Sequence, residues 1–121
     1  MPKMLIADDN RQITSILEEY AKKEGYDVKI AYNGRQALDT FDKHKPDIVL
    51  LDVMMPNIDG FETCRRLKAD VRTSSIPIIF VSAKDQAEDK ISGLKLGAID
   101  YVAKPFNRGE LQARIGIVLQ M

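Results

Sequence analysis

The run Asp47-Ile48-Val49-Leu50-Leu51-Asp52-Val53-Met54-Met55-Pro56, DIVLLDVMMP, decides how this chain folds. Its unbroken apolar stretch has the length of a strand rather than a helix, and its lack of polar alternation predicts burial on both faces, as in a parallel sheet. The run ends on a lone carboxylate, Asp52, just before a Met-Pro turn. A charge there is costly unless paired or ligated, so its partners must come from elsewhere in the chain.

Working outward, similar short apolar runs stand at KMLIA (3–7), DVKIA (27–31), IPIIFVS (76–82) and IDYVA (99–103), with the central one at 47–52. Helical periodicity fills the intervals. Ile13, Ile16, Leu17, Tyr20 and Ala21 share one face, and Gly25 stands where a C-terminal cap belongs. Residues 35–44 offer Ala37, Leu38 and Phe41; 60–69 offer Phe61, Cys64 and Leu67; 86–96 offer Ala87, Ile91 and Leu94; 108–120 offer Leu111, Ile115, Val118 and Leu119. Strand alternating with helix five times predicts a doubly wound α/β sandwich, because parallel strands need crossover helices and those cover both faces. Pro46, Pro56, Pro77 and Pro105, with Gly25, Gly34, Gly60 and Gly97, all fall at element borders.

The 121 residues fit one domain, 1–121. Lys plus Arg is 18 and Asp plus Glu is 18, so no basic face is implied and direct nucleic-acid binding is not expected. The single Cys64 excludes an internal disulfide, and no apolar run has the length of a membrane span, so a reducing, cytoplasmic setting without membrane contact is expected. His44, in DKHKPD, reads as a solvated loop histidine without a role.

Each strand's C-terminal end carries the next clue. Asp8-Asp9 follows the first, Asp52 ends the third, Ser82 closes the fourth and Lys104-Pro105 follows the fifth; the second leaves only Tyr32 and Asn33. In open α/β sheets sites form outside these ends, where the strand order reverses. In the order 2-1-3-4-5 the first and third strands are neighbours there, and Asp8, Asp9 and Asp52 converge. Two unit charges about 4 Å apart repel by roughly 4 kcal/mol at an effective dielectric near 20, so a cation is required. An all-oxygen carboxylate cluster suits Mg²⁺. With Lys104 as a fixed cation and Ser82 as a hydroxyl donor, the set forms an electrostatic cradle for a phosphoryl group, and Asp52 becomes a nucleophile.

Every member has an ordinary alternative. Asp8-Asp9 and Asp52 are also what a loop or helix cap uses, Lys-Pro pairs are common solvated turns, and Ser82 is a candidate cap for the next helix. Those readings leave unexplained why four of the five strands deliver groups suited to one chemistry at the same edge.

IADDN, DIVLLDVMMPNIDGFE, FVSAKD and YVAKPF, in that order, resemble the motifs of response regulator receiver domains of two-component systems, over essentially the full chain. The resemblance implies a flavodoxin-like (βα)5 sandwich with a parallel sheet of order 2-1-3-4-5. It implies Asp52 as phosphoacceptor, Asp9 and Asp52 as side-chain ligands of Mg²⁺, Met54 as a ligand through its carbonyl, and Asp8 acting through a water on the metal. It also implies Lys104 paired with Asp52 or its phosphate, a cis Lys104-Pro105 bond, and a switch in which Ser82 moves to the phosphoryl group and Tyr101 turns inward. Tyr101 as a strand aromatic with a surface hydroxyl is the alternative. The implied phosphodonor is a histidine kinase or phosphotransfer protein, with self-catalysed phosphorylation and dephosphorylation but no metabolic enzyme activity. The implied output is a changed surface over residues 84–119, serving a homodimer or a fused output domain.

Departures from the pattern are few. Asn10 stands where many relatives carry another acid, Ser82 replaces the common Thr, and Met54 and Lys84 flank the path of the hydrolytic water. A haloacid-dehalogenase-type phosphatase wants a second Asp two residues after the nucleophile, and here that residue is Met54. A dinucleotide or flavin module wants a glycine-rich first turn, which IADDNRQ lacks. A degenerate, binding-only receiver is disfavoured by the complete acid, hydroxyl and lysine set. DGFETCRRLK and ELQARIGIVLQ resemble receivers fused to nucleotide-cyclase-type outputs, while a DNA-binding output stays open.

Overall fold

The structure, a computed structural model, describes residues 2–120. Its elements run β1 (Lys3–Ala7), α1 (Arg11–Lys23), β2 (Asp27–Ala31), α2 (Gly34–His44), β3 (Ile48–Leu51), α3 (Gly60–Ala69), β4 (Ile78–Ser82), α4 (Ala87–Lys95), β5 (Asp100–Ala103) and α5 (Arg108–Leu119). The strands form one parallel sheet in the order β2-β1-β3-β4-β5. This is the doubly wound arrangement the alternating pattern predicts.

Burial explains why the strands lack polar alternation. Leu5, Val49, Leu51, Ile78 and Phe80 face one layer of helices with Phe41, Cys64 and Leu67, and Met4, Ile6, Ile48, Leu50 and Ile79 face the other with Leu17, Leu111 and Ile115. Both parities of β1, β3 and β4 therefore meet a core, and each buried aliphatic side chain contributes about 1.5–3 kcal/mol.

The helices start where side chains satisfy free N–H groups. Asn10 Oδ1 accepts from Gln12 N at 2.9 Å and Ile13 N at 3.2 Å, as its capping role requires, and Asn33, Asp59 and Asn107 cap α2, α3 and α5 in the same way. α4 starts behind Gln86, not Ser82, and Gln86 N donates to Asp89 Oδ2 at 3.2 Å. His44 departs from the loop reading. It is the last residue of α2, three after Phe41 on the same face, and is buried with Nε2 lacking a hydrogen-bond partner.

Register aligns the site. Ala7 pairs with both Ala31 and Leu51, so Asp8 and Asp52 each follow the same rung of the sheet, and Ser82 pairs with Ala103, which precedes Lys104. Asp52 N donates to Ala7 O at 2.9 Å and Lys104 N to Ser82 O at 2.9 Å, extending the ladder just past the strand ends.

Candidate functional site

Asp8 and Asp52 are buried, at 2% and 6% exposure, while Asp9 is open to solvent. One carboxylate oxygen from each lies within 4.8 Å of the others. Lys104 Nζ sits between the two buried acids, 2.5 Å from Asp8 Oδ2 and 3.2 Å from Asp52 Oδ2. The Lys104-Pro105 peptide is cis. Asp8 Oδ1 is occupied by the N–H of Asn10 at 2.9 Å, whereas Asp52 Oδ1 is buried with no partner. Buried carboxylate oxygens are normally satisfied, so this one marks a place for a donor, a cation or an electrophile.

The electrostatics follow from this crowding. Burial pushes the Asp8 carboxyl up from its ordinary value against the pull of its bonds to Lys104 and Asn10, and the like charge of Asp52 adds to the rise. Burial alone lowers Lys104, but its bond to Asp8 and the charge of Asp52 outweigh that, and the net direction is upward. The ammonium is held charged between two carboxylates, and one fixed cation leaves three acids under-compensated. Oxygen-only donors and excess negative charge fit a hard divalent cation such as Mg²⁺.

The remaining predicted residues surround this core. Ser82 is fully buried, and its Oγ accepts the Lys84 N–H at 3.2 Å. Tyr101 lies inward rather than at the surface, with its ring tilted 37° against Phe80 at a 5.6 Å centroid distance. Its hydroxyl donates to the Lys84 carbonyl at 2.5 Å, bridging β5 to the β4–α4 loop. Burial pushes that hydroxyl upward; Ser82 opposes the rise, and the charges of Asp89, Asp52 and Asp85 add to it. Met54 is 62% exposed and lines an open groove with Asp9, Lys84 and Asp89. Asp8, Asp9, Asp52 and Lys104 therefore meet directly, Ser82 and Tyr101 join through Lys84, and Met54 stands at the rim. A separate, more enclosed crevice between α1 and α5 is lined mainly by Met4, Leu17, Tyr20, Leu111 and Ile115 and offers no comparable chemistry.

Two glycines are more than punctuation. A Cβ on Gly60 would lie 1.9 Å from the Asp52 carbonyl oxygen, and Gly60 N donates to Val53 O at 2.7 Å, so the loop after Asp52 folds back only because Gly60 has no side chain. A Cβ on Gly93 in α4 would meet Phe80 and Tyr101 at 3.0 Å, so the inward Tyr101 ring depends on that bare position. Neither contact is visible in the sequence. The only signal is a glycine directly after Asp59 at a helix start, and another inside a helical pattern.

Comparison with known proteins agrees with the geometry. The family model described as the response regulator receiver domain matches residues 4–116. Among solved structures, a protein of Chloroflexus aurantiacus J-10-fl described as a response regulator is 36% identical, with 99% of this chain and 98% of that one covered and a TM-score of 0.94. The receiver domain of Francisella response regulator 1452 is 35% identical over 99% and 98% of the chains, at a TM-score of 0.91. The BeF3-activated N-terminal receiver domain of RstA from Klebsiella pneumoniae is 30% identical over 98% and 99%, at 0.92. By fold, by the order of its motifs and by these matches, the chain belongs to the response regulator receiver domain family of two-component systems.

Proposed function

We propose that this receiver domain accepts a phosphoryl group on Asp52 from a histidine kinase or phosphotransfer protein and uses it to change the surface of residues 84–119. The observation that carries the reading is the asymmetry of Asp52: Oδ2 is held by Lys104 at 3.2 Å, while Oδ1 is buried and unpartnered. One oxygen anchors the side chain and the other is left to react.

In the proposed transfer, Oδ1 attacks phosphorus, the bond to the donor nitrogen breaks, and the imidazole leaves with the proton it carries. Lys104 fixes the nucleophile's orientation and offers its ammonium to the charge spreading over the phosphoryl oxygens. Ser82 supplies a hydroxyl donor, which stays available while its Oγ accepts the Lys84 N–H. Receiver domains bind Mg²⁺ at an acidic pocket, and here Asp9 and Asp52, with the Met54 carbonyl and Asp8 through water, are the groups that would hold it. The ion would neutralise phosphoryl charge during transfer. The chain promotes its own phosphorylation and dephosphorylation and carries a signal rather than turning over a metabolite.

Output follows a link from the site to the far edge. Ser82, Lys84 and Tyr101 form a chain of hydrogen bonds running from β4 through the β4–α4 loop to β5. Drawing Ser82 toward a phosphoryl group shifts Lys84, and with it the partner of Tyr101 and the start of α4. A homodimer or an output domain that packs on α4, β5 and α5 would read that shift.

The test is intact mass spectrometry after incubation with acetyl phosphate, with Mg²⁺ and with chelator, on wild type and Asp52→Asn. The reading predicts a Mg²⁺-dependent gain of one phosphoryl group that is absent from the variant. No gain in folded, metal-replete wild type overturns it.

A further inference from the structure

Lys84 is tied at three points. Its N–H donates to Ser82 Oγ at 3.2 Å, its carbonyl accepts the Tyr101 hydroxyl at 2.5 Å, and its ammonium stands 3.7 Å from Asp89 Oδ1 in the first turn of α4. The first two contacts hold the main chain, which leaves the flexible four-carbon stem as the part free to swing. At 3.7 Å the ion pair is longer than a charge-assisted hydrogen bond, and the Lys84 side chain is 41% exposed. The pair is loose. Lys84 and Asp89 share one open groove with Asp9, Met54 and Val53, the residue that follows Asp52.

We propose that Lys84 is a positioning cation that Asp89 and a phosphoryl group on Asp52 compete for, so that phosphorylation moves its ammonium off α4 and onto the phosphoryl oxygens. The inference rests on Asp52 being the phosphoacceptor. The competition is unequal. A phosphoryl group brings a charge of about −1.5 to −2 and three strong acceptors, whereas Asp89 offers one carboxylate whose other oxygen already takes the Gln86 N–H at 3.2 Å. Lys104 is occupied by Asp8 and Asp52, which leaves Lys84 as the cation among the described residues lining that groove. When the ammonium leaves, α4 keeps its Gln86–Asp89 start but loses its ionic tie to the loop. By reciprocity, Asp89 weakens phosphoryl binding by the same factor that phosphorylation weakens the pair.

The probe is beryllofluoride with Mg²⁺, titrated by calorimetry as a phosphoryl mimic into the folded protein. Asp89→Asn keeps an oxygen for the Gln86 N–H while freeing Lys84, and the expected result is about two- to fivefold tighter binding, the range set by one partly exposed ion pair. Lys84→Gln is expected to weaken binding by a similar factor, and Lys84→Arg to restore it. The deciding comparison is the double variant: Asp89→Asn in the Lys84→Gln background is expected to change nothing. The same tightening in that background, or none in wild type, overturns the proposal, because Asp89 would then act through the general field or not at all. Asp52→Asn serves as control. Equal beryllofluoride binding by that variant overturns the phosphoacceptor reading itself, and the relay with it.

Discussion

Asp52→Asn is expected to stabilise the metal-free protein while abolishing its chemistry. At an effective dielectric near 20, Lys104 at 3.2 Å attracts the Asp52 charge by about 5 kcal/mol. Asp8, with a ligand oxygen within 4.8 Å, repels it by about 3.5 kcal/mol or more, and solvent-exposed Asp9 adds about 1–2 kcal/mol. Attraction and repulsion nearly cancel. What remains is the cost of burying the carboxylate, several kcal/mol for a real protein ion, which a neutral amide avoids while still offering Lys104 an acceptor. The expected gain is about 1–3 kcal/mol in chelator, visible as a rise of about 3–5 °C in Tm per kcal/mol for a domain of this size. Mg²⁺ should reverse the order. A ligand at a hundred times its Kd adds about 2.7 kcal/mol to the wild type, and less to a variant that has lost a ligand charge. Thermal melts of both proteins in chelator and across a Mg²⁺ titration are therefore expected to cross. A variant less stable than wild type by 1 kcal/mol or more in chelator would mean that the Lys104 attraction dominates the site and that the two charges do not cancel.

Gly60→Ala drives a Cβ to 1.9 Å from the Asp52 carbonyl, a main-chain clash that no rotamer relieves, so a loss of about 3 kcal/mol by denaturation and of phosphorylation by acetyl phosphate is expected. Glu62, held down to about 2 by hydrogen bonds to Arg65 and Arg66, has a folded value below its ordinary 4.5. Its stabilising effect is present above 4.5 and lost as pH falls toward 2, so Glu62→Gln should lower Tm at pH 7 by more than at pH 3. Cys64 is fully buried with its thiol pushed up to about 11 by burial, and a thiol reagent at pH 8 should label it only at the rate of unfolding. Labelling much faster than unfolding would mean α3 packs more loosely than described.

Much of this architecture is legible because strand and helix periodicities alternate cleanly and the glycines and prolines stand at the seams. The site is legible for a related reason: in a parallel sheet all strands end on the same edge, so Asp8, Asp52, Ser82 and Lys104 are placed together once the strand order is known. What stays hidden depends on approach distances. Gly60 and Gly93 look like ordinary punctuation until the Asp52 carbonyl and the Tyr101 ring are found against them. His44 is misread because a Lys-Pro loop follows it, yet its place three residues after Phe41 puts it on the buried face of α2. The Lys84–Asp89 pair joins a loop to a helix across a five-residue interval that no helical or strand spacing singles out.

Phosphorylation at Asp52 leaves a covalent mark that can be trapped chemically. Borohydride reduces an aspartyl phosphate to homoserine and leaves free carboxylates unchanged, so phosphorylation with acetyl phosphate and Mg²⁺, reduction and peptide mass mapping read the acceptor directly. Homoserine is expected at position 52 and unmodified aspartate at positions 8 and 9. Homoserine at either of the latter positions, or aspartate throughout in protein shown to carry a phosphoryl group, would contradict phosphorylation at Asp52.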